Sequence, residues 1–156
     1  MSAVTAAVKS LAFSGVKLIG YNGLMLPVME DLILAERAAQ VPPSFTMRDL
    51  LTFSSVCGVG LDTVPVPGQL LICCRISFFD LTIFLHLHSR SNCDIINFVG
   101  DITVEKIAGV YMETAALAFR LNKPLSCRLL VMNGKVAGDT TDFVHSYLHN
   151  TRVFAI

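Results

Sequence analysis

The stretch DITVEKIAGVYMETAALAFRLNKPLSCRLLVM, residues 101–132, sets a helix directly before a strand, and that succession decides the fold class. Ile107, Val110, Tyr111, Thr114, Leu117 and Leu121 recur at helical spacing and share one face. Asp101 or Thr103 supplies an N-cap, and Asn122 with Pro124 ends the helix. SCRLLVM, residues 126–132, then reads as a buried strand. A helix feeding straight into a buried strand favours an α/β arrangement.

Downstream, Asn133–Lys135 predicts a tight turn and residues 137–143 a loop. His145 and His149 would lie on one helical face and could bind a metal, but the glutamate of an H-E-x-x-H site is missing, so no metal site is assigned. Upstream, residues 3–13 predict a small-residue helix packed in a core. The competing reading is a transit peptide, since no acid precedes Glu30, but the segment lacks arginine. Gly20–Gly23 (GYNG) is a turn. Pro27 suits the first turn of a helix, with Glu30 and Asp31 near its positive end. Leu32, Ala35, Ala38 and Ala39 continue its apolar face until Val41-Pro42-Pro43 stops it. Thr46 with Asp49 forms a capping box for the next helix. CGVGLDTVPVPG, Cys57 to Gly68, reads as a loop, because its glycines and prolines forbid further helix.

At 156 residues there is room for one domain. The chain is 53% hydrophobic and 15% charged, with mean hydropathy +0.62, which is apolar for a chain whose surface must stay wet. Twelve Lys and Arg balance twelve Asp and Glu without a run of like charge, which excludes the electrostatic footprint of a nucleic-acid partner. Five irregularly spaced cysteines argue against a secreted disulfide framework and for a reduced, cytoplasmic setting.

The blocks GYNGLMLPVMEDLILAERA, LLTFSSVCGVGLDTVPVPG, DITVEKIAGVYMETAALAFRLNKPLSCRLL and NGKVAGDTTDF resemble consecutive motifs of the uncharacterised domain-of-unknown-function family seven-eleven. Bacterial members of that family resemble pyruvate formate-lyase in fold. The resemblance implies an incomplete piece of a glycyl-radical-enzyme-like α/β barrel, because family members are much longer and the matched blocks lie in their C-terminal part. It divides the chain into a first block, 1–68, a non-family insert, 69–100, and a second block, 101–156, together one partial domain. In the family a Pro-Gly runs straight into an Asp, so Pro67-Gly68 should meet Asp101.

The insert is apolar, dense in Phe, Leu, Ile, Cys and Ser, and sustains neither a helical nor a strand period. Residues of that kind have U-rich codons, so the segment reads as a retained, translated intron. A surface loop should instead be polar and rich in turn formers. Cys73, Cys74, His86, His88 and Cys93 fit no zinc spacing. Arg75 and Asp80 interrupt the run before the roughly twenty apolar residues that a membrane span needs.

Within the matched blocks, Cys57 and Asp62 are the candidate catalytic residues. Gly58 and Gly60 would let backbone amides approach a ligand or a neighbouring loop. In the radical enzymes that the family resembles, a loop cysteine passes the radical to substrate and a glycine near the C-terminus stores it. Here Arg152-Val153-Phe154 is followed by Ala155, which argues for a shared fold without radical chemistry. For Cys57 three roles stay open: thiolate nucleophile, ligand contact, or buried structural thiol. Glu30 and Asp31 are paired carboxylates or helix-start charges. Arg128 clamps an anion if it points inward from the face that Ser126 and Leu130 share. Lys135 and Asp139 lie between glycines in a turn that is no P-loop.

The expected function is therefore that of a parent family of cytosolic enzymes acting on a small metabolite. The alternatives are a small-anion binding or regulatory module and a non-functional truncated product. The sequence names no cofactor. The expected partner is a small-molecule ligand, with no nucleic acid, no membrane and a possible homo-oligomer of the parent.

Overall fold

A computed structural model describes residues 1–19, 22–57, 59–68, 81–82 and 104–156. Its elements are α1 (Ser2–Ser10), a 3-10 turn (Leu11–Ser14), α2 (Leu32–Ala39), α3 (Met47–Ser54), β1 (Gly60–Gly68), β2 (Leu81–Thr82), α4 (Val104–Arg120) and β3 (Ser126–Asn133). The strands form one sheet in the order β1-β3-β2, with β1 parallel and β2 antiparallel to β3. Strand β2 comes from inside the segment 69–100. The cysteine–histidine cluster of that segment lies outside the described residues, as do Gly58 and the helix-capping candidates Asp101 and Thr103.

The parallel pair forms the centre. Alternation along β3 sends Cys127 and Leu129 to one face and Leu130 and Met132 to the other. On the first face Leu61, Val64 and Val66 of β1 join Met47 and Leu50 of α3 and Ile107 and Val110 of α4. On the second, Met29 and Val153 cover Leu130 and Met132. Full burial of a Leu or Val side chain contributes about 1.5–3 kcal/mol, so these two clusters carry the fold. Tyr111 and Cys127 lie on the first face, and burial raises both their pKa values, the Cys127 thiol to about 12.

Residues 60–68 are a strand, which corrects the reading of Cys57–Gly68 as a loop. Every residue of β1 is buried, so no apolar–polar alternation marks it. Its prolines are tolerated because of where they face. The Pro65 carbonyl accepts a hydrogen bond from the Phe154 amide at 2.9 Å, so its backbone faces the edge opposite β3. The missing N–H groups of Pro65 and Pro67 therefore remove nothing from the β1–β3 ladder.

Three further expectations shift. Helix α2 begins at Leu32, not at Pro27: Asp31 is extended, and its side chain accepts the Leu34 amide at 2.9 Å as an N-cap. Pro27 instead pairs with Asp62 in an isolated parallel bridge. Helix α1 forms, but it is not packed in a core; only its Thr5 is buried, and Phe13 just beyond it is 93% exposed. His145 and His149 do not share a helical face, since the chain there is irregular. The His149 amide donates to the Met29 carbonyl, and His145 Nδ1 accepts the Tyr147 amide.

Other elements follow their local chemistry. The Thr46–Asp49 capping box is complete at the start of α3. Asn122, at φ 47°, closes α4 in the left-handed conformation, with the Lys123 amide donating to the Ala118 carbonyl. Gly134, at φ 71°, makes the turn after β3.

Candidate functional site: a guanidinium between two carboxylates

Three of the residues singled out in the sequence meet at the start of the sheet. Arg128 Nε lies 2.5 Å from Asp62 Oδ1, and Arg128 Nη2 lies 2.6 Å from Glu30 Oε1. The register explains the contact. Gly60 and Leu61 pair with Ser126 and Cys127, but Val64 pairs with Leu129, so Asp62 and Thr63 together oppose the single residue Arg128. This is a β-bulge, rare in a parallel pair, and bulges re-aim side chains. Here the carboxylate is turned onto the guanidinium.

Thr63 absorbs the geometric cost. Its φ is +44°, unusual for a β-branched residue, at an expense of about 1–3 kcal/mol. Residues 27–30 run alongside the bulge and hold it. The Val28 amide donates to the Asp62 carbonyl at 3.1 Å, and the Met29 amide donates to Thr63 Oγ1 at 3.4 Å. A turn closed by the Glu30 amide on the Pro27 carbonyl then brings Glu30 to Arg128.

The cluster is graded in depth. Asp62 is 3% exposed, while the side chains of Arg128 and Glu30 are 25% and 39% exposed. Asp62 Oδ2 is buried, and among the described residues it has no hydrogen-bond partner. A bare buried acceptor costs about 1–3 kcal/mol, more when charged. Among the described residues, two carboxylates flank the one guanidinium.

The other candidates go elsewhere. Cys57 is 1% exposed, and its Sγ accepts the Gly60 amide at 3.1 Å, closing the turn that leads into β1. Lys123 Nζ donates to the Ser55 and Cys57 carbonyls at 2.9 Å each, tying the end of α3 to the end of α4. Burial lowers the Lys123 pKa. Gly60 admits a close neighbour, as its backbone suggested, and that neighbour is β3: a Cβ there would lie 2.2 Å from the Ser126 carbonyl oxygen. Asp31 is engaged as the α2 cap. At the opposite end of the strands Lys135 Nζ pairs with Asp142 Oδ2 at 3.1 Å, and Asp139 Oδ2 accepts the Val136 amide at 2.8 Å, closing its own loop.

A cleft of about 260 Å³ lies between the start of α3 and the C-terminal segment, lined by Phe45, Met47, Arg152 and Phe154 among others. It is smaller than ordinary ligand pockets and does not touch the Glu30–Arg128–Asp62 cluster. The chemistry lies in the cluster, so the cleft does not define the site. Thr63 carried no signal in the sequence, because nothing local announces a positive φ in a β-branched residue.

Residues 1–72 and 91–146 match the family described as Uncharacterised ACR (DUF711). The chain belongs to that family. The DUF711 match is interrupted over residues 73–90. Among curated relatives, a UPF0210 protein of Oleidesulfovibrio alaskensis is 30% identical over 135 residues, 86% of this chain and 22% of the relative. A UPF0210 protein of Pyrobaculum aerophilum is 27% identical over 79% of this chain and 20% of its own length. One of Methanopyrus kandleri is 28% identical over 77% and 19%. The chain thus spans about a fifth of the length of these relatives. No solved structure matches it. Among the described residues no helix is long and apolar enough to cross a membrane.

Proposed function

We propose that in the longer DUF711 proteins this region is part of a pyruvate formate-lyase-like α/β barrel enzyme. It acts on a small polar metabolite without glycyl-radical chemistry, and Glu30, Asp62 and Arg128 stand at the ligand site. The observation that carries this reading is the buried Asp62 carboxylate, turned onto Arg128 by a bulge at a strained Thr63. Strained, bulged backbone around a buried charge concentrates at functional sites. Cys57, closed onto Gly60, is better suited to holding the turn than to attacking a substrate.

The test is a thermal-shift screen of the full-length Oleidesulfovibrio alaskensis relative against small polar metabolites. A saturable rise in Tm, lost when the residue aligned with Arg128 becomes Gln, is the expected result. If no metabolite shifts Tm, or the shift survives that substitution, the reading falls.

A second reading concerns residues 69–100. The interruption of the family match at 73–90, inside that segment, supports an intron origin for it. Sequencing the transcript across the codons for Gly68 and Asp101 tests it. A dominant message that joins them directly supports the intron. A retained segment, with a peptide from Ile76 to Arg90 found in cells, makes β2 a genuine edge strand.

A further inference from the structure

The charge and hydrogen-bond inventory of the cluster selects among ligands. Arg128 is flanked by two carboxylates at 2.5 and 2.6 Å, so its charge is already compensated. An arriving anion would have to compete with these two carboxylates for the guanidinium. The unused capacity is an acceptor: Asp62 Oδ2 is buried, and none of the described residues donates to it. An ionised carboxylate oxygen has only acceptor sites, so what completes it must carry an N–H or O–H. A metal ion would need more ligands than the two carboxylates that the described residues bring together here.

We propose that Asp62 receives the ammonium or hydroxyl group of a small amine or amino alcohol, with Glu30 supplying the second negative charge. The inference rests on the ligand-site reading above and narrows it to a substrate class. The approach is from the Glu30 side, where the cluster meets solvent. Seating a donor on Oδ2 requires Arg128 to loosen its contact with Glu30 and turn. Glu30 is then left free to pair with the ligand's positive charge. Arg128 thus acts as an internal cation that holds the two carboxylates until an external one arrives. Thr63 is the positioning residue, since its left-handed backbone keeps Asp62 facing Arg128 rather than following the strand's alternation.

The experiment titrates the uniformly ¹⁵N-labelled 156-residue chain with ethanolamine and, separately, with sodium acetate at matched ionic strength. The Arg128 Nε–H signal and the Asp62 and Thr63 amide signals are followed by NMR. Ethanolamine is expected to move them saturably, and acetate is not. Asp62→Asn is expected to abolish the response. Glu30→Gln, at the exposed end of the cluster, is expected to raise the half-saturation concentration several-fold, and it carries the test if Asp62→Asn does not fold. Acetate acting where ethanolamine does not would overturn the donor-ligand inference while leaving a ligand site standing. Silence toward both would overturn the inference together with the reading beneath it. An ethanolamine response that Glu30→Gln leaves unchanged would also overturn it, as non-specific.

Discussion

Gly60 and Asp62 show how much a single residue decides. At φ +114°, with the Ser126 carbonyl oxygen 2.2 Å from where a Cβ would stand, Gly60 tolerates no side chain. Gly60→Ala therefore forces β1 and β3 apart and adds backbone strain of about 1–3 kcal/mol before any packing is lost. A thermal melt should show Tm lowered by at least about 2 °C, at roughly 2–4 °C per kcal/mol for a chain of this size. An unchanged Tm would mean that the β1–β3 register is wrong. Cys57 gives a milder test. Its buried thiol should alkylate far more slowly in the folded chain than in urea, as read on its peptide by mass spectrometry. At this scale the sequence marked Glu30, Asp62 and Arg128 separately, by residue type alone. Their meeting was illegible, because it depends on a strand register and a bulge that no local spacing encodes.

Among the elements, α4 and β3 were legible because each carries a clean period and α4 has a recognisable stop. Strand β1 was not. Burial on both faces erased its alternation, and prolines that read as breakers turned out to face the edge away from β3. The start of α3 was legible in full. Thr46 accepts the Asp49 amide through its hydroxyl, and Asp49 Oδ2 accepts the Thr46 amide at 2.8 Å. Thr46→Ala should lower stability by about 1 kcal/mol in urea unfolding. Hydrogen bonds from the Thr46 side chain, then from its backbone, lower the Asp49 pKa below 3.8. A depressed carboxylate stabilises the fold above its unfolded value and loses that contribution as pH falls through the folded one. The gap between Thr46→Ala and the parent should accordingly narrow in acid below about pH 3.8. A gap that widens there would contradict the cap geometry.

Over the whole molecule, equal numbers of acidic and basic residues leave the local carboxylate–guanidinium cluster rather than a global field as the electrostatic feature to explain. The excess hydropathy has two visible sources, the segment 69–100 and the exposed apolar side chains of the N-terminal helix and turn, Val4, Leu11 and Phe13. Composition registered that excess without locating the second source.

The central claim is that the buried carboxylate–guanidinium pair is kept for binding and not for stability. Removing one partner strands a buried charge, so Arg128→Met alone should cost about 3 kcal/mol, the low end for such pairs because Arg128 is partly exposed. Replacing both partners with apolar residues removes the charge problem altogether. The decisive measurement is the urea-unfolding free energy of the double variant Asp62→Leu/Arg128→Met against the parent chain. The claim predicts a double variant as stable as the parent or more so, by up to about 4 kcal/mol. A double variant that loses as much as Arg128→Met alone would show that the pair holds the fold together, and the claim would be contradicted.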